Sequence, residues 1–183
     1  MSKSLIRILA IGLGFAFIVG CSPKIVFTPE LHAKLNRDSV DLNKVQFYNS
    51  EEIYLSREEF KDEEVAVKRG QIRFEKGKFI EEIIIKKHTP GICVGDSTYH
   101  LDVSFENEND RYLQFGRLQT SKLAPYYKLY GLKWSDGVGI VHYGDTLYAT
   151  QAGAGSSVLL VKKSQIYNLI KEKRVAKGRR VNK

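Results

Sequence analysis

The sequence predicts a mainly β chain, a single antiparallel β-barrel or β-sandwich domain with a short N-terminal helix and a basic C-terminal helix and tail. Three observations carry this. Apolar residues recur at a period of two in short runs, turn residues separate those runs at hairpin spacing, and helical periodicity is confined to one stretch near each end. Cys21 to Val161 is about 140 residues, enough for one ordinary domain. No internal repeat or low-complexity linker divides it.

The elements follow in order. In "TPELHAKLNRD" Thr28 can cap a helix, Pro29 suits its first turn, and Leu31 and Leu35 recur four apart, which predicts a helix from Pro29 to Arg37. The period then becomes two. Val45 and Phe47 alternate with Gln46 and Tyr48; beyond the turn-like "NSEE", Ile53 and Leu55 alternate with Tyr54 and Ser56; Val65 and Val67 continue the pattern. Lys76-Gly77 separates two strands where glycine can take positive φ. The run Ile83-Ile84-Ile85 breaks the alternation and predicts a strand covered on both faces, or a bulge. Leu101, Val103 and Phe105 share one strand face, with His100, Asp102 and Ser104 on the other, before a return strand containing Leu113 and Phe115. Gly144-Asp145 forms a two-residue turn of the II′ kind, and "SVLLV" supplies the last strand. Ser164 can cap a final helix with Ile166, Leu169 and Ile170 on one face, expected to pack on the sheet and close one barrel end.

The start of the chain has its own chemistry. Lys3 and Arg7 precede twelve mostly apolar residues, Ile8 to Val19, the layout of an export signal. Such a helix is roughly 18 Å long, short of the ~30 Å that a spanning segment needs. Next comes Ile18-Val19-Gly20-Cys21, which resembles the lipobox of bacterial lipoproteins. The resemblance covers about the first 21 residues. It implies that the Cys21 thiol takes a diacylglycerol, that cleavage makes Cys21 the new N-terminus, and that this covalent lipid is the sole attached group. Ser22 in place of Asp after the cysteine implies the outer-membrane class. The chain also resembles Bacteroidota-type lipoproteins in its Ile, Lys, Asn and Tyr usage. Surface-exposed members of that group carry acids just after the cysteine, whereas "CSPKIVFTPE" has none before Glu30, which implies a periplasmic face. A Cys21–Cys93 disulfide is the competing use of the two cysteines in an oxidising compartment; a thioether on Cys21 would leave Cys93 a lone thiol. The expected organisation is a signal peptide over 1–20, a tether over 21–27, a β-rich domain over 28–170 and a basic tail over 171–183.

The formal charge of +8 is unevenly spread. Lys162 to Lys183 holds nine Lys or Arg against the single acid Glu172, so that end alone accounts for the excess and the body is nearly neutral. Lys171, Lys173, Arg174, Lys177, Arg179, Arg180 and Lys183 form a candidate basic contact for anionic headgroups, wall carboxylates or an acidic partner. Nucleic acid is not an expected partner in this compartment.

No catalytic residue or metal site is assigned from the pattern. His32, His88, His100 and His142 lack metal-ligand spacing to one another or to Cys93. His142 follows Val138 and Ile140 at strand period and is expected to face the core. His100 shares a strand face with Asp102, which could orient its imidazole. Cys93, between a Pro90-Gly91 turn and a Gly95-Asp96 turn, is expected to be a small buried residue; its alternative is a nucleophile paired with His100. "QAGAGSS" lacks the ending of a phosphate loop and is expected to be a flexible hairpin loop. The pairs Glu51-Glu52, Glu58-Glu59, Glu63-Glu64 and Glu81-Glu82 mostly fall at strand ends, as solvated charge. Tyr48, Tyr54 and Tyr112 alternate out of phase with the core and are a candidate aromatic binding face; Tyr126, Tyr127 and Tyr130 cluster near Trp134. The expected function is a lipid-anchored, non-enzymatic module binding an envelope protein or peptidoglycan. The alternatives are a β-barrel carrier of an apolar ligand, or an enzyme using Cys93 and His100.

Overall fold

Thr28 caps the first helix as the sequence predicts: its Oγ1 accepts a hydrogen bond from the Leu31 N–H at 3.3 Å, with Pro29 in the first turn. This helix, α1 (Pro29–Arg37), turns His32 and Leu35 inward. The structure, a computed structural model, describes residues 22–59, 71–75, 78–97, 99–107, 110–119 and 122–172. The expected signal peptide, Cys21, the Val65 and Val67 run, the Lys76-Gly77 turn and the tail from Lys173 to Lys183 lie outside the described residues.

The remaining chain is mainly strand. In order these are β1 (Lys24–Val26), β2 (Gln46–Asn49), β3 (Ile53–Glu59), β4 (Gln71–Glu75), β5 (Lys78–Ile85), β6 (Pro90–Asp96), β7 (His100–Ser104), β8 (Tyr112–Gln119), β9 (Lys122–Leu129), β10 (Lys133–Ser135), β11 (Val138–Tyr143), β12 (Thr146–Thr150) and β13 (Leu159–Lys162), followed by helix α2 (Lys163–Glu172). They form two antiparallel sheets, of seven strands in the order β1-β13-β2-β6-β7-β8-β9 and of six in the order β10-β11-β12-β3-β5-β4. Neither sheet closes on itself among the described residues. The mainly β, antiparallel expectation holds, and two sheets sharing one core fit a sandwich-like arrangement.

That core is made by strand parity. Phe47, Leu101, Val103, Leu113, Phe115, Leu159 and Val161 come from the seven-stranded sheet and Ile53, Leu55, Ile83, Ile85, Val141 and Tyr143 from the other. Phe27, just after β1, meets Phe47 edge to face at 5.0 Å. Each such side chain, fully buried, contributes roughly 1.5–3 kcal/mol.

Several local expectations are corrected. The Ile83-Ile84-Ile85 run is an ordinary half-covered strand: its neighbours are buried but Ile84 is 52% exposed, and the β3–β5 register runs unbroken from Ile53 opposite Ile85 to Glu59 opposite Phe79. His142 faces solvent because the buried parity of β11 is set by Val141 and Tyr143. "QAGAGSS" is not a hairpin loop, since it links β12 in one sheet to β13 in the other. It contains a 3₁₀ turn, Ala154–Ser156, and a Cβ added at Gly155 would lie 2.9 Å from the Trp134 ring. Helix α2 buries Ile166 and packs Leu169 and Ile170 against the core. Its first N–H groups are met by the other end of the domain: Ser22 Oγ accepts from the Ser164 N–H at 3.2 Å and the Pro23 carbonyl accepts from the Lys163 N–H at 3.2 Å.

Candidate functional site

Helix α1 lies over one end of the seven-stranded sheet, and His32 is the side chain that ties it there. His32 Nδ1 stands 2.6 Å from the Tyr127 hydroxyl of β9, and Nε2 stands 3.3 Å from Asp96 Oδ2 at the end of β6. One neutral tautomer satisfies both contacts: Nε2–H donates to the carboxylate and Nδ1 accepts from the phenol. Phe27 packs on both rings, with centroids 5.8 Å from His32 and 5.6 Å from Tyr127. Burial holds the Tyr127 phenol above its ordinary range, opposed by the nearby guanidinium of Arg117.

Two irregularities sit beside the polar groups. β6 shifts register between Cys93 and Gly95, after which Asp96 pairs with Leu101 and shares its core-side face. β8 shifts between Gly116 and Leu118, at Arg117. Such bulges re-aim side chains at strand ends. Arg117 follows Leu113 and Phe115 on the core parity and stacks over the Tyr127 ring, its guanidinium carbon 5.9 Å from the centroid.

Between helix and sheet opens a cleft of about 510 Å³, lined by Pro29, His32, Ala33, Asn36, Asp96, Ser97, Arg117 and Tyr127. Arg117 Nε is buried there with no hydrogen-bond partner. Among the described residues no ion pair to Arg117 occurs. A desolvated guanidinium N–H without an acceptor costs free energy; the guanidinium hydrogen-bonds the Tyr127 hydroxyl, and Arg117 lines the cleft. No family model, curated protein or solved structure matches this chain.

Ser97 lines the cleft, and with His100 and Asp102 it has the composition of a hydrolytic triad, but the geometry is a turn. Ser97 Oγ lies 2.8 Å from His100 Nδ1 and 3.0 Å from the His100 carbonyl, and accepts the His100 N–H at 3.1 Å. Asp102 Oδ1 is 3.7 Å from His100 Nε2, beyond hydrogen-bond reach, and accepts from Gln114 Nε2 at 3.1 Å instead. Cys93 is a buried free thiol whose Sγ faces the Gly95 carbonyl at 3.2 Å. Burial, with Asp96 adding, pushes the thiol up to about 12, which keeps it protonated at neutral pH. His100 occupies the opposite parity of β7 from Leu101 and Val103, the core residues beside Cys93.

The three tyrosines of the candidate aromatic face are dispersed. Tyr48 lies in β2 and Tyr112 in β8, separated by two strands of the same sheet, and Tyr54 lies in β3 of the other sheet. Tyr48 is covered by two lysines, with Lys24 Nζ 4.8 Å and Lys162 Nζ 5.7 Å from its centroid. Tyr127 is core, while Tyr130 and Tyr99 flank a separate hollow of about 260 Å³ with His100, Gln114 and Gly116. Glu81 is likewise not solvated charge: it accepts from Arg57 Nε at 2.6 Å and from the Tyr148 hydroxyl at 2.9 Å. Of the basic contact, Lys171 lies in the last turn of α2. Two sequence signals could have found the cleft. Arg117 continues the Leu113, Phe115 alternation onto the core face, and His32 lies three residues before Leu35 on one helix face.

Proposed function

We propose that the chain is a lipid-anchored lipoprotein of the outer membrane, facing the periplasm, whose β domain is a non-enzymatic binding module for an envelope protein or the cell wall. The observation that carries the binding half is the cleft of His32, Asp96, Arg117 and Tyr127, with a buried guanidinium N–H left unpartnered. A protonated, core-facing Cys93 and a turn-bound His100 weigh against the enzymatic alternative. The carrier alternative needs a hollow interior, whereas Phe27, Phe47, Phe115 and Leu101 fill the space between the sheets at zero exposure.

The tether half rests on the lipobox-like Ile18 to Cys21 and gains support from what surrounds the point where the chain enters the domain. Lys24 and Lys162 are directly opposed on β1 and β13, and Lys163 follows. Opposed like charges are unfavourable; the Tyr48 ring offsets part of this, and a plane of anionic headgroups would offset more, at about 1 kcal/mol per residue within a Debye length. The test is expression of the full chain in bacteria fed a clickable fatty acid, with crosslinking in intact cells. Label on the wild-type chain, none on Cys21→Ala, and recovery of an envelope component support the reading. Unlabelled wild-type protein in the soluble fraction overturns it.

A further inference from the structure

We propose that the cleft between α1 and the end of the seven-stranded sheet binds the terminal carboxylate of a peptide-sized ligand, with Arg117 as its anchoring cation. This deepens the reading of the domain as a binding module by naming the ligand chemistry. The guanidinium lies against the Tyr127 ring with Nε buried and unpartnered. A planar fork of N–H donors matches a carboxylate in two parallel hydrogen bonds, and Arg117 has no such acceptor among the described residues. The volume, about 510 Å³, suits a ligand of a few residues rather than a single ion.

The rest of the lining selects within the anions. Asp96 forms part of the wall, with its side chain 40% exposed and one oxygen engaged by His32. A fixed negative charge in the same lining as the guanidinium disfavours a compact dianion such as phosphate. It favours a ligand that carries one negative charge for Arg117 and an N–H for the remaining lone pairs of Asp96. A peptide end offers that pairing, its carboxylate next to its last amide N–H. Asn36 and Ser97, also in the lining, can meet further backbone groups. His32 is a positioning residue here: its two ring contacts hold Asp96 and Tyr127, and with them the wall on which Arg117 stacks.

The experiment uses the purified full-length chain in neutral detergent, with arginine Nε–H resonances observed by NMR. It is titrated with an N-acetylated dipeptide bearing a free carboxylate, with the same dipeptide as its C-terminal amide, and with inorganic phosphate. The free acid is expected to shift the Arg117 Nε–H saturably, while the amide and phosphate bind at least tenfold more weakly. Arg117→Gln is expected to weaken the free acid at least tenfold. Should that variant fail to fold, Ala33→Phe decides the matter, because Ala33 is exposed on α1 and lines the cleft; it is expected to weaken binding with an unchanged melting temperature. Equal shifts from acid and amide, tighter binding of phosphate, no saturable shift, or full binding by Ala33→Phe would each overturn the proposal. Dipeptide binding by a chain that takes no fatty-acid label overturns the tether alone. A labelled chain without dipeptide binding overturns this inference alone.

Discussion

His32 Nδ1 and the Tyr127 hydroxyl, 95 positions apart in sequence, stand 2.6 Å apart and join α1 to the far edge strand of the larger sheet. Tyr127→Phe keeps the ring that packs on Phe27 but leaves the imidazole nitrogen without its donor in a buried site. Denaturant titration is expected to show a loss of about 1–3 kcal/mol. A loss within error would mean that water replaces the phenol and that the bond does not fix the helix.

Cys93 sets an alkaline limit on stability. Its thiol ordinarily titrates near 9.0 and is pushed up to about 12 in the fold by burial. The unfolded chain thus sheds a proton that the folded chain retains, so stability is full below about 9 and falls as pH rises through that window, by about 1.4 kcal/mol per unit for one group. Tyr148, pushed from 10.0 up to about 12, adds its share only above 10. Melting curves of Cys93→Ala are expected to be flatter than wild type between pH 9 and 10, and displaced at neutral pH by about 1–2 kcal/mol.

Cys21→Ala is expected to accumulate as a full-length, unacylated precursor, since the thiol is the atom that takes the lipid. Intact-mass measurement of the membrane fraction reads both properties at once. A variant of mature mass that still partitions with membranes would remove the lipobox reading, and a non-reducing spectrum with a Cys21–Cys93 bridge would replace it.

Deletion of Lys173 to Lys183, which spares the last turn of α2, tests the basic tail. The full chain without its lipid is expected to bind isolated envelope material at low salt and release it at high salt, and the deletion to lose most of that binding. Retention with the same salt dependence would assign the contact to Lys24, Lys162 and Lys163 instead.

Strand parity and turn chemistry made the mainly β, antiparallel class readable, because Leu101, Val103, Leu113 and Phe115 obey a period of two that local sterics enforce. Thr28 and Pro29 marked α1 for the same local reason. Which strands become neighbours was not readable. β13 beside β2, or β12 beside β3, depends on contacts about a hundred residues apart. The cleft was missed on those grounds: His32, Asp96, Arg117 and Tyr127 belong to four elements, and two of the four stand at register shifts that alternation cannot anticipate. The aromatic face failed through the opposite error, since tyrosines alike in phase along the chain were assigned to one surface before the sheets were known.

The position of β13 between β1 and β2 governs when the larger sheet can be finished. Its four residues, Leu159–Lys162, are among the last of the domain to leave a ribosome, yet they pair on both sides with strands made more than a hundred residues earlier. Until they arrive, β2 has an open edge and β1 has no strand partner among the described residues. Closing so long a loop is slow relative to forming the hairpins. A growing chain therefore holds several local β-hairpins before the larger sheet is complete.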